Sequence, residues 1–207
     1  MLNPYYMEIY MANRRDRTLR QEKKYELELE RVLDFEKELI FEGFYINHLP
    51  NQINNIYFDS QSLQSANENI EGFENRMKYR IRWYNNSNQF SLEKKIKNSS
   101  SGYKEKVSLN SKDLEEAITK TRNLTKLEPS IRNTYFRKYF IRKEVRITID
   151  THIKFYLPKG LNSVSFPKAI IEVKYPTDEH FTPKWKTPVQ LTKFSKYLKG
   201  LEAYNRV

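Results

Sequence analysis

The chain has 207 residues, enough for one domain with a sizeable core, and it is lopsided in charge: 37 Lys and Arg against 26 Asp and Glu, net +11. That imbalance points to polyanionic partners such as nucleic acid, phosphate compounds or an acidic membrane surface, and says little about fold. With no cysteine, disulfides, thiol catalysis and thiolate-held zinc are excluded, and no stretch approaches the ~18–20 apolar residues that cross a bilayer.

Residues 1–12 are mildly apolar but broken by Asn3, Pro4 and Glu8, with positive charge after them, and do not read as a signal peptide. Residues 1–19 read as an arm ending in Arg14-Arg15-Asp16-Arg17, and 20–207 as a single domain. A first strand is expected over 20–27, with Glu22, Lys24 and Glu26 on one face. Leu29, Val32, Leu33, Leu39 or Ile40, and Phe44 then recur near helical period, predicting a helix over 28–43 with Gly43 at its end. A short strand follows over 53–60, then a polar, loop-like or briefly helical stretch to Gly72.

The clearest strand covers 75–84. Alternation puts Arg76, Lys78, Arg80 and Arg82 on one side and Met77, Tyr79, Ile81 and Trp83 on the other. After a turn at Asn85-Asn86-Ser87-Asn88, a strand over 90–97 groups Glu93, Lys95 and Lys97, and one over 103–109 groups Lys104 and Lys106. Ser111 is read as the cap of a helix whose Leu114, Ala117, Ile118 and Thr121 share a face. A long β run over 135–150 sets Arg142, Glu144, Arg146, Thr148 and Asp150 on one side. The strand over 169–175 places Glu172 with Lys174, and Thr187-Pro188 reads as a helix start leading through Ser195-Lys196-Tyr197. With 15 Tyr and 12 Phe, the core is expected to be aromatic-rich and β-weighted, in one α+β domain without internal repeats.

Any one amphipathic strand is explained by a sheet with a wet face. Taken together, these strands say more. Arg80, Arg82, Arg137, Arg142 and Arg146 carry the forked guanidinium that suits phosphate. Glu93, Glu144 and Glu172 interrupt the basic stripes where a metal–phosphate site wants hard oxygen ligands. Two-faced strands with few Gly or Pro can also close into a barrel that turns the charged faces inward. His48, His152 and His180 lack metal-like spacing, and neither GxxxxGK[ST] nor GxGxxG occurs.

Glu22-Lys23-Lys24-Tyr25, Asn55-Ile56-Tyr57-Phe58-Asp59, Lys78-Tyr79-Arg80-Ile81-Arg82-Trp83-Tyr84 and Leu92-Glu93-Lys94-Lys95 resemble the VTC domain. This is the polyphosphate-polymerase branch of the triphosphate tunnel metalloenzymes, within the CYTH-like superfamily. The resemblance continues in order through Tyr135-Phe136-Arg137-Lys138-Tyr139-Phe140, Arg146-Ile147-Thr148-Ile149-Asp150, Ile171-Glu172-Val173-Lys174-Tyr175 and Ser195-Lys196-Tyr197. It implies an antiparallel β-barrel forming a tunnel with flanking helices. It further implies Lys24, Arg80, Arg82, Lys95, Arg137, Arg146 and Lys196 as phosphate-contacting and catalytic cations, and Glu172 as a metal ligand. Glu93 and Glu22 stand as further candidate metal ligands, and Lys78, Lys104, Lys106, Arg142 and Lys174 as secondary phosphate contacts.

The implied activity is transfer of the terminal phosphoryl group of ATP to inorganic polyphosphate with Mn2+ or Mg2+. The alternatives are a triphosphatase acting on tripolyphosphate or a nucleoside triphosphate, and a non-catalytic polyanion-binding module. Hydrolase and cyclase relatives begin with an ExExK strand; here the corresponding residues are Arg20, Glu22 and Lys24, and the missing first acid favours the polymerase branch. The expected partners are ATP and polyphosphate rather than nucleic acid. Eukaryotic relatives attach a phosphate-sensing domain and a membrane pore that this sequence does not show, which leaves a role for a separate membrane protein. The chain is expected in the cytoplasm or at the inner face of a membrane.

Overall fold

The computed structural model describes residues 20–98, 101–177 and 181–207. The arm expected over 1–19 and His180 lie outside the described residues. The strands are β1 (Arg20–Glu28), β2 (Tyr45–Asp59), β3 (Arg76–Tyr84), β4 (Phe90–Asn98), β5 (Ser101–Leu109), β6 (Glu128–Arg142), β7 (Val145–Tyr156), β8 (Ser163–Ser165), β9 (Lys168–Pro176) and β10 (Gln190–Thr192). The helices are α1 (Val32–Phe41), preceded by a 3-10 turn, α2 (Gln64–Ile70), α3 (Leu114–Thr125) and α4 (Lys196–Glu202). All strands join one antiparallel sheet in the order β10-β1-β9-β7-β6-β2-β3-β4-β5, with β8 added beside β7.

The closed barrel implied by the resemblance is not formed by this pairing. The path ends at β5 on one side and at the three-residue β10 on the other, and no ladder joins them. The sheet is nevertheless strongly curved. Side chains of β1 and β4, far apart in strand order, come within ion-pair distance at Glu22 and Lys95 (3.9 Å). Curvature follows from the twist of adjacent strands and from the bulges in β2 and β7.

The convex side is apolar and covered by helices. Val32, Phe35 and Leu39 of α1 pack with Tyr25, Leu27, Ile147, Ile149, Ile171 and Val173. Gly43, at φ +85°, ends this helix: its N–H bonds Ile40 O and that of Phe44 bonds Leu39 O, the paired bonds of a Schellman stop. Ala117 of α3 packs against Ile56, Phe58, Ile81 and Leu92, with Tyr79 and Trp83 alongside. Both helices therefore bury the hydrophobic side of the alternating strands and leave the charged side to the concave face.

Three local readings change. The cap of α3 is Asp113, which accepts from Glu116 N, while Glu116 Oε2 accepts from Lys112 N; the Ser111 hydroxyl is buried without a partner among the described residues. The β run over 135–150 is a hairpin that turns at Lys143, φ +52°, so alternation restarts there and Arg142 falls on the convex side. Thr187-Pro188 starts no helix: Thr187 binds Glu38 through its N–H (3.0 Å) and hydroxyl (2.7 Å), anchoring the following segment to α1, and Ser195 caps α4 instead.

A second shift matters for the site. At the bulge between β6 and β7, His152 takes φ +52° and the facing pattern of β7 slips by one residue. Ile147 and Ile149 face the convex core, whereas Ile153 and Phe155 join Ile53, Tyr135 and Ile170 on the concave side. That apolar part of the concave face is filled by Phe194 and by α4, whose Tyr197 and Leu201 pack on Tyr57 and Ile131. Gly200 permits this approach: a Cβ there would stand 2.8 Å from Ile131 Cγ1 and 3.0 Å from Phe155 Cδ1. Gly200→Ala is expected to destabilise the fold by about 1–3 kcal/mol despite the better helix propensity of Ala, as overpacking does. Urea denaturation checks this; equal or greater stability would mean that α4 does not seat on β6 and β7 as described.

Candidate functional site

The polar remainder of the concave face gathers charged side chains from β1, β3, β4, β6, β7, β9 and the start of α4. They fall into three connected groups. In the first, the ladder sets Arg80 opposite Tyr57 on β2 and opposite Glu93 on β4. Arg80 Nε and Nη2 both donate to Glu93 Oε2, at 2.8 and 2.6 Å, and its Nη1 donates to Tyr57 Oη at 3.3 Å. Arg82, only 7% exposed, donates Nε to Asn55 Oδ1 (2.8 Å) and Nη2 to Tyr135 Oη (3.2 Å). Lys104 reaches Glu93 Oε1 at 3.2 Å. Burial pushes the Glu93 carboxyl up, but Arg80, Arg82 and Lys104 outweigh it and hold the group well below the usual carboxylate range.

The second group centres on Asp150 of β7, which is 0% exposed. Arg137, its register partner on β6, donates Nε to Oδ1 (2.5 Å) and Nη2 to Oδ2 (2.7 Å). Lys196, the first residue of α4, adds a 2.5 Å contact to Oδ2. Desolvation again raises the carboxyl and the two cations overcome it, so Asp150 stays ionised.

The third group joins β1, β9 and β4. Lys24 Nζ lies 3.1 Å from Glu22 Oε1 and donates to Phe194 O at 3.1 Å. Lys174 Nζ lies 2.8 Å from Glu172 Oε1 and 3.7 Å from Glu22 Oε2, bridging the two acids. Burial acts upward on Glu172, and Lys174, Arg137 and Lys24 hold it well below its ordinary value. Glu22 feels burial and the Glu172 charge upward but is lowered by Lys95, Lys24 and Lys174. Lys24 loses charge preference through burial and regains more from Glu172 and Glu22, so it rises.

Lys78 differs from these. Its one hydrogen bond among the described residues goes to Ser195 Oγ at 3.3 Å. Burial, then the charges of Lys95, Lys24, Arg76 and Arg80, push its ammonium down to about 7. Lys95, whose side chain is 55% exposed, is lowered by partial desolvation among its neighbours and by Lys24 despite Glu22.

Of the residues singled out in the sequence, the concave face brings together Lys24, Lys78, Arg80, Arg82, Lys95, Arg137, Lys174, Lys196, Glu22, Glu93 and Glu172, with Lys104 at its margin. Arg146 is exposed beside Lys174 in the ladder, and Lys106 is exposed on β5 opposite Glu93. Arg142 is apart from them: it donates to Glu42 O at the end of α1 and lies over the Phe44 ring. The three candidate metal ligands are divided, Glu22 and Glu172 sharing Lys174 while Glu93 is engaged by Arg80. Among the described residues no group of three or more His, Cys, Asp and Glu side chains is placed to hold a metal ion. His48 is exposed and lies against Tyr139 with its ring tilted by 36°, and His152 sits at the β7 bulge.

Sequence reasoning passed over Asp150, Asn55, Asn133, Tyr57 and Tyr135. Asn55 Nδ2 donates to Asn133 Oδ1 (2.8 Å), and Asn133 Nδ2 and Thr148 Oγ1 are buried without a partner among the described residues. A signal existed for them: Asn55, Tyr57 and Asp59 alternate with Ile56 and Phe58, and Asp150 closes the polar side of Arg146 and Thr148. Asn55, Asn133, Tyr57 and Tyr135 are neutral and so fall outside a search for phosphate-binding cations and metal-binding acids, while Asp150 lies at the end of its run rather than inside a basic stripe.

A model of the VTC domain matches residues 15–126 and 114–205, which together span most of the chain. No curated protein sequence matches it. Among solved structures, the PH1819 protein of Pyrococcus horikoshii aligns with TM-score 0.52 and 14% identity, covering 89% of this chain and 98% of that one. The PH1012 protein of the same organism aligns with TM-score 0.51 and 12% identity, covering 77% and 80%. A candidate adenylate cyclase from Vibrio parahaemolyticus aligns with TM-score 0.50 and 16% identity, covering 78% of each. These likenesses concern the fold alone. On the match along its length, and with the strand order and charged concave face that accompany it, the chain belongs to the VTC domain family.

Proposed function

We propose that this protein is a metal-dependent polyphosphate polymerase that moves the terminal phosphoryl group of ATP onto a growing inorganic polyphosphate chain. The observation that carries the reading is the convergence of Lys24, Lys78, Arg80, Arg82, Lys95, Arg137, Lys174 and Lys196 on one concave face, in excess of the carboxylates among them. A curved wall of this kind forms the side of a channel for a linear polyanion. On β3 itself, Tyr79 and Trp83 pack under α3, away from Arg80 and Arg82, so the aromatics of that strand are not placed to stack bases beside its cations.

Phosphoryl transfer demands little covalent work from a protein and a great deal of positioning and charge stabilisation. A terminal oxygen of the chain attacks the γ-phosphorus, the bond from that phosphorus to the β,γ-bridging oxygen breaks, and ADP leaves. In this scheme Arg80, Arg82, Arg137 and Arg146 hold phosphate oxygens, and Lys24, Lys95 and Lys196 neutralise the group in transit. Lys78, Lys104, Lys106 and Lys174 extend the electrostatic track, whereas Arg142 is left as a cap for α1.

Glu172 and Glu22 are the residues that would hold Mn2+ or Mg2+. Both are held ionised, and Lys174 now bridges them. Such a pair of hard oxygen donors fits an ion bound through one or two carboxylates and completed by substrate phosphates. The bound ion supplies charge neutralisation at the phosphate oxygens. Glu93, committed to Arg80 and Arg82, serves to orient those cations.

Incubation with ATP and Mn2+, with and without chelator, followed by gel sizing, is expected to give a chelator-sensitive, acid-labile phosphate polymer and ADP; orthophosphate alone would make the protein a triphosphatase. Arg82→Ala is expected to lower turnover by roughly 100-fold or more with its far-UV circular dichroism unchanged. Near-normal polymer yield from that variant would count heavily against the assignment. Glu172→Gln is expected to abolish the metal-supported rate, and an unaltered metal titration would remove Glu172 from the site.

A pH dependence follows from Lys78. Free, its ammonium titrates at about 7. A bound phosphate chain favours the protonated form and raises that value, so binding takes up a proton above neutrality and weakens as pH rises. Tripolyphosphate affinity measured by calorimetry is expected to fall roughly tenfold or more from about pH 7 to about pH 9. Lys78→Met should flatten the profile; an equally steep profile in that variant would show that another group governs it.

A further inference from the structure

Asp150 has no role in the scheme above, yet it is a fully buried acid that Arg137 and Lys196 share on the concave face. Arg137 and Lys196 occupy both of its oxygens through contacts of 2.5 to 2.7 Å. Its two partners come from different elements, one from the facing strand and one from the start of α4. The Tyr135 ring lies beside both, 4.6 Å from Lys196 Nζ and 5.4 Å from Arg137 Cζ, while its hydroxyl accepts from Arg82. Tyr135 thus links Arg82 of the first group to the two cations that Asp150 holds. Without the Asp150 charge, Arg137 and Lys196 would repel each other across a buried gap.

We propose that Asp150 is a positioning residue that fixes Arg137 and Lys196 for phosphate contact and, by cancelling one of their two charges, keeps the polyanion from binding too tightly to advance. This inference rests on the polyphosphate reading above. The two effects have opposite signatures. An acid serving only the fold weakens ligand binding when neutralised, because the site loosens. An acid that moderates the field strengthens binding of an anion when neutralised, because net positive charge rises, while turnover falls as the guanidinium loses its two-point anchor.

The test uses the full chain with Asp150→Asn and Asp150→Glu. It compares tripolyphosphate Kd at several salt concentrations, kcat for polymer formation and the thermal midpoint. For Asp150→Asn, Kd is expected to drop by about tenfold or more with a steeper salt dependence, and kcat to drop by about tenfold or more. For Asp150→Glu, which keeps the charge and displaces the carboxylate, Kd is expected to stay within about twofold of wild type while kcat falls. Unchanged or weaker binding by Asp150→Asn overturns the inference. If that variant does not fold, Asp150→Glu decides: retained Kd with lowered kcat supports it, and loss of both overturns it. A wild-type chain that binds tripolyphosphate but makes no polymer removes the polymerase reading and leaves the affinity comparison standing. A wild-type chain that does not bind it overturns both.

Discussion

Repulsion among like charges on a curved surface is the constraint around which this structure is arranged. Bending a sheet brings the side chains of its concave face closer together, and here many of them are cationic. Two unit charges 4 Å apart at a protein surface oppose each other by about 4 kcal/mol at an effective dielectric near 20. Each cluster accordingly contains an acid that faces more than one cation: Glu93 between Arg80, Arg82 and Lys104, Asp150 between Arg137 and Lys196, and Glu22 with Glu172 among Lys24, Lys95 and Lys174. These acids make the curvature tolerable while no anion lies on the face. They leave an excess of positive charge, which is what a polyanion meets.

The convex side solves the complementary problem. Each strand that presents charge inward presents Ile, Val, Phe or Tyr outward, and α1 and α3 cover that apolar surface. The curved sheet therefore needs helices on its outside and solvent or ligand on its inside, the reverse of a barrel with a hydrocarbon interior. Where the concave face does turn apolar, α4 and Phe194 fill it. The boundary between the two regimes falls near the β7 bulge, where Asp150 gives way to Ile153.

What could be read from the sequence follows the same division. Period-two alternation gave the correct faces for β1, β3, β4 and β9, because a one-residue slip in any of them would bury Lys or Arg in the convex core. The reading failed where the backbone breaks its own period. The turn at Lys143 and the bulge at His152 are positive-φ positions occupied by residues with no strong turn signature, so Arg142 was placed with Arg146 and the switch in β7 went unseen. Thr187-Pro188 has the form of a helix start, but a distant carboxylate, Glu38, takes its donors. Sequence carries no sign of a partner 149 residues away. The neutral members of the site were missed for a different reason: Asn55, Asn133 and Tyr135 matter by where their hydrogen bonds end, and only packed coordinates give that.

Identity of 12–16% to solved structures of similar shape sharpens what this fold preserves. At that level few side chains are shared, so the common element must be tolerant of substitution. A two-faced strand pattern is tolerant in that sense, since any apolar residue serves outside and any charge-balanced set serves inside. Chemistry then depends on which inward positions carry which charges, a choice the fold leaves open. In this chain the strand that opens with Arg20, Glu22 and Lys24 has one acid where hydrolase relatives carry two, and Glu172 on the adjacent strand is the register partner of Lys24. The pair of carboxylates available at that corner is thus built across two strands, from Glu22 and Glu172, rather than along one. An arrangement made across strands is held by sheet register, so the same ladder that curves the sheet also fixes the separation of its acids.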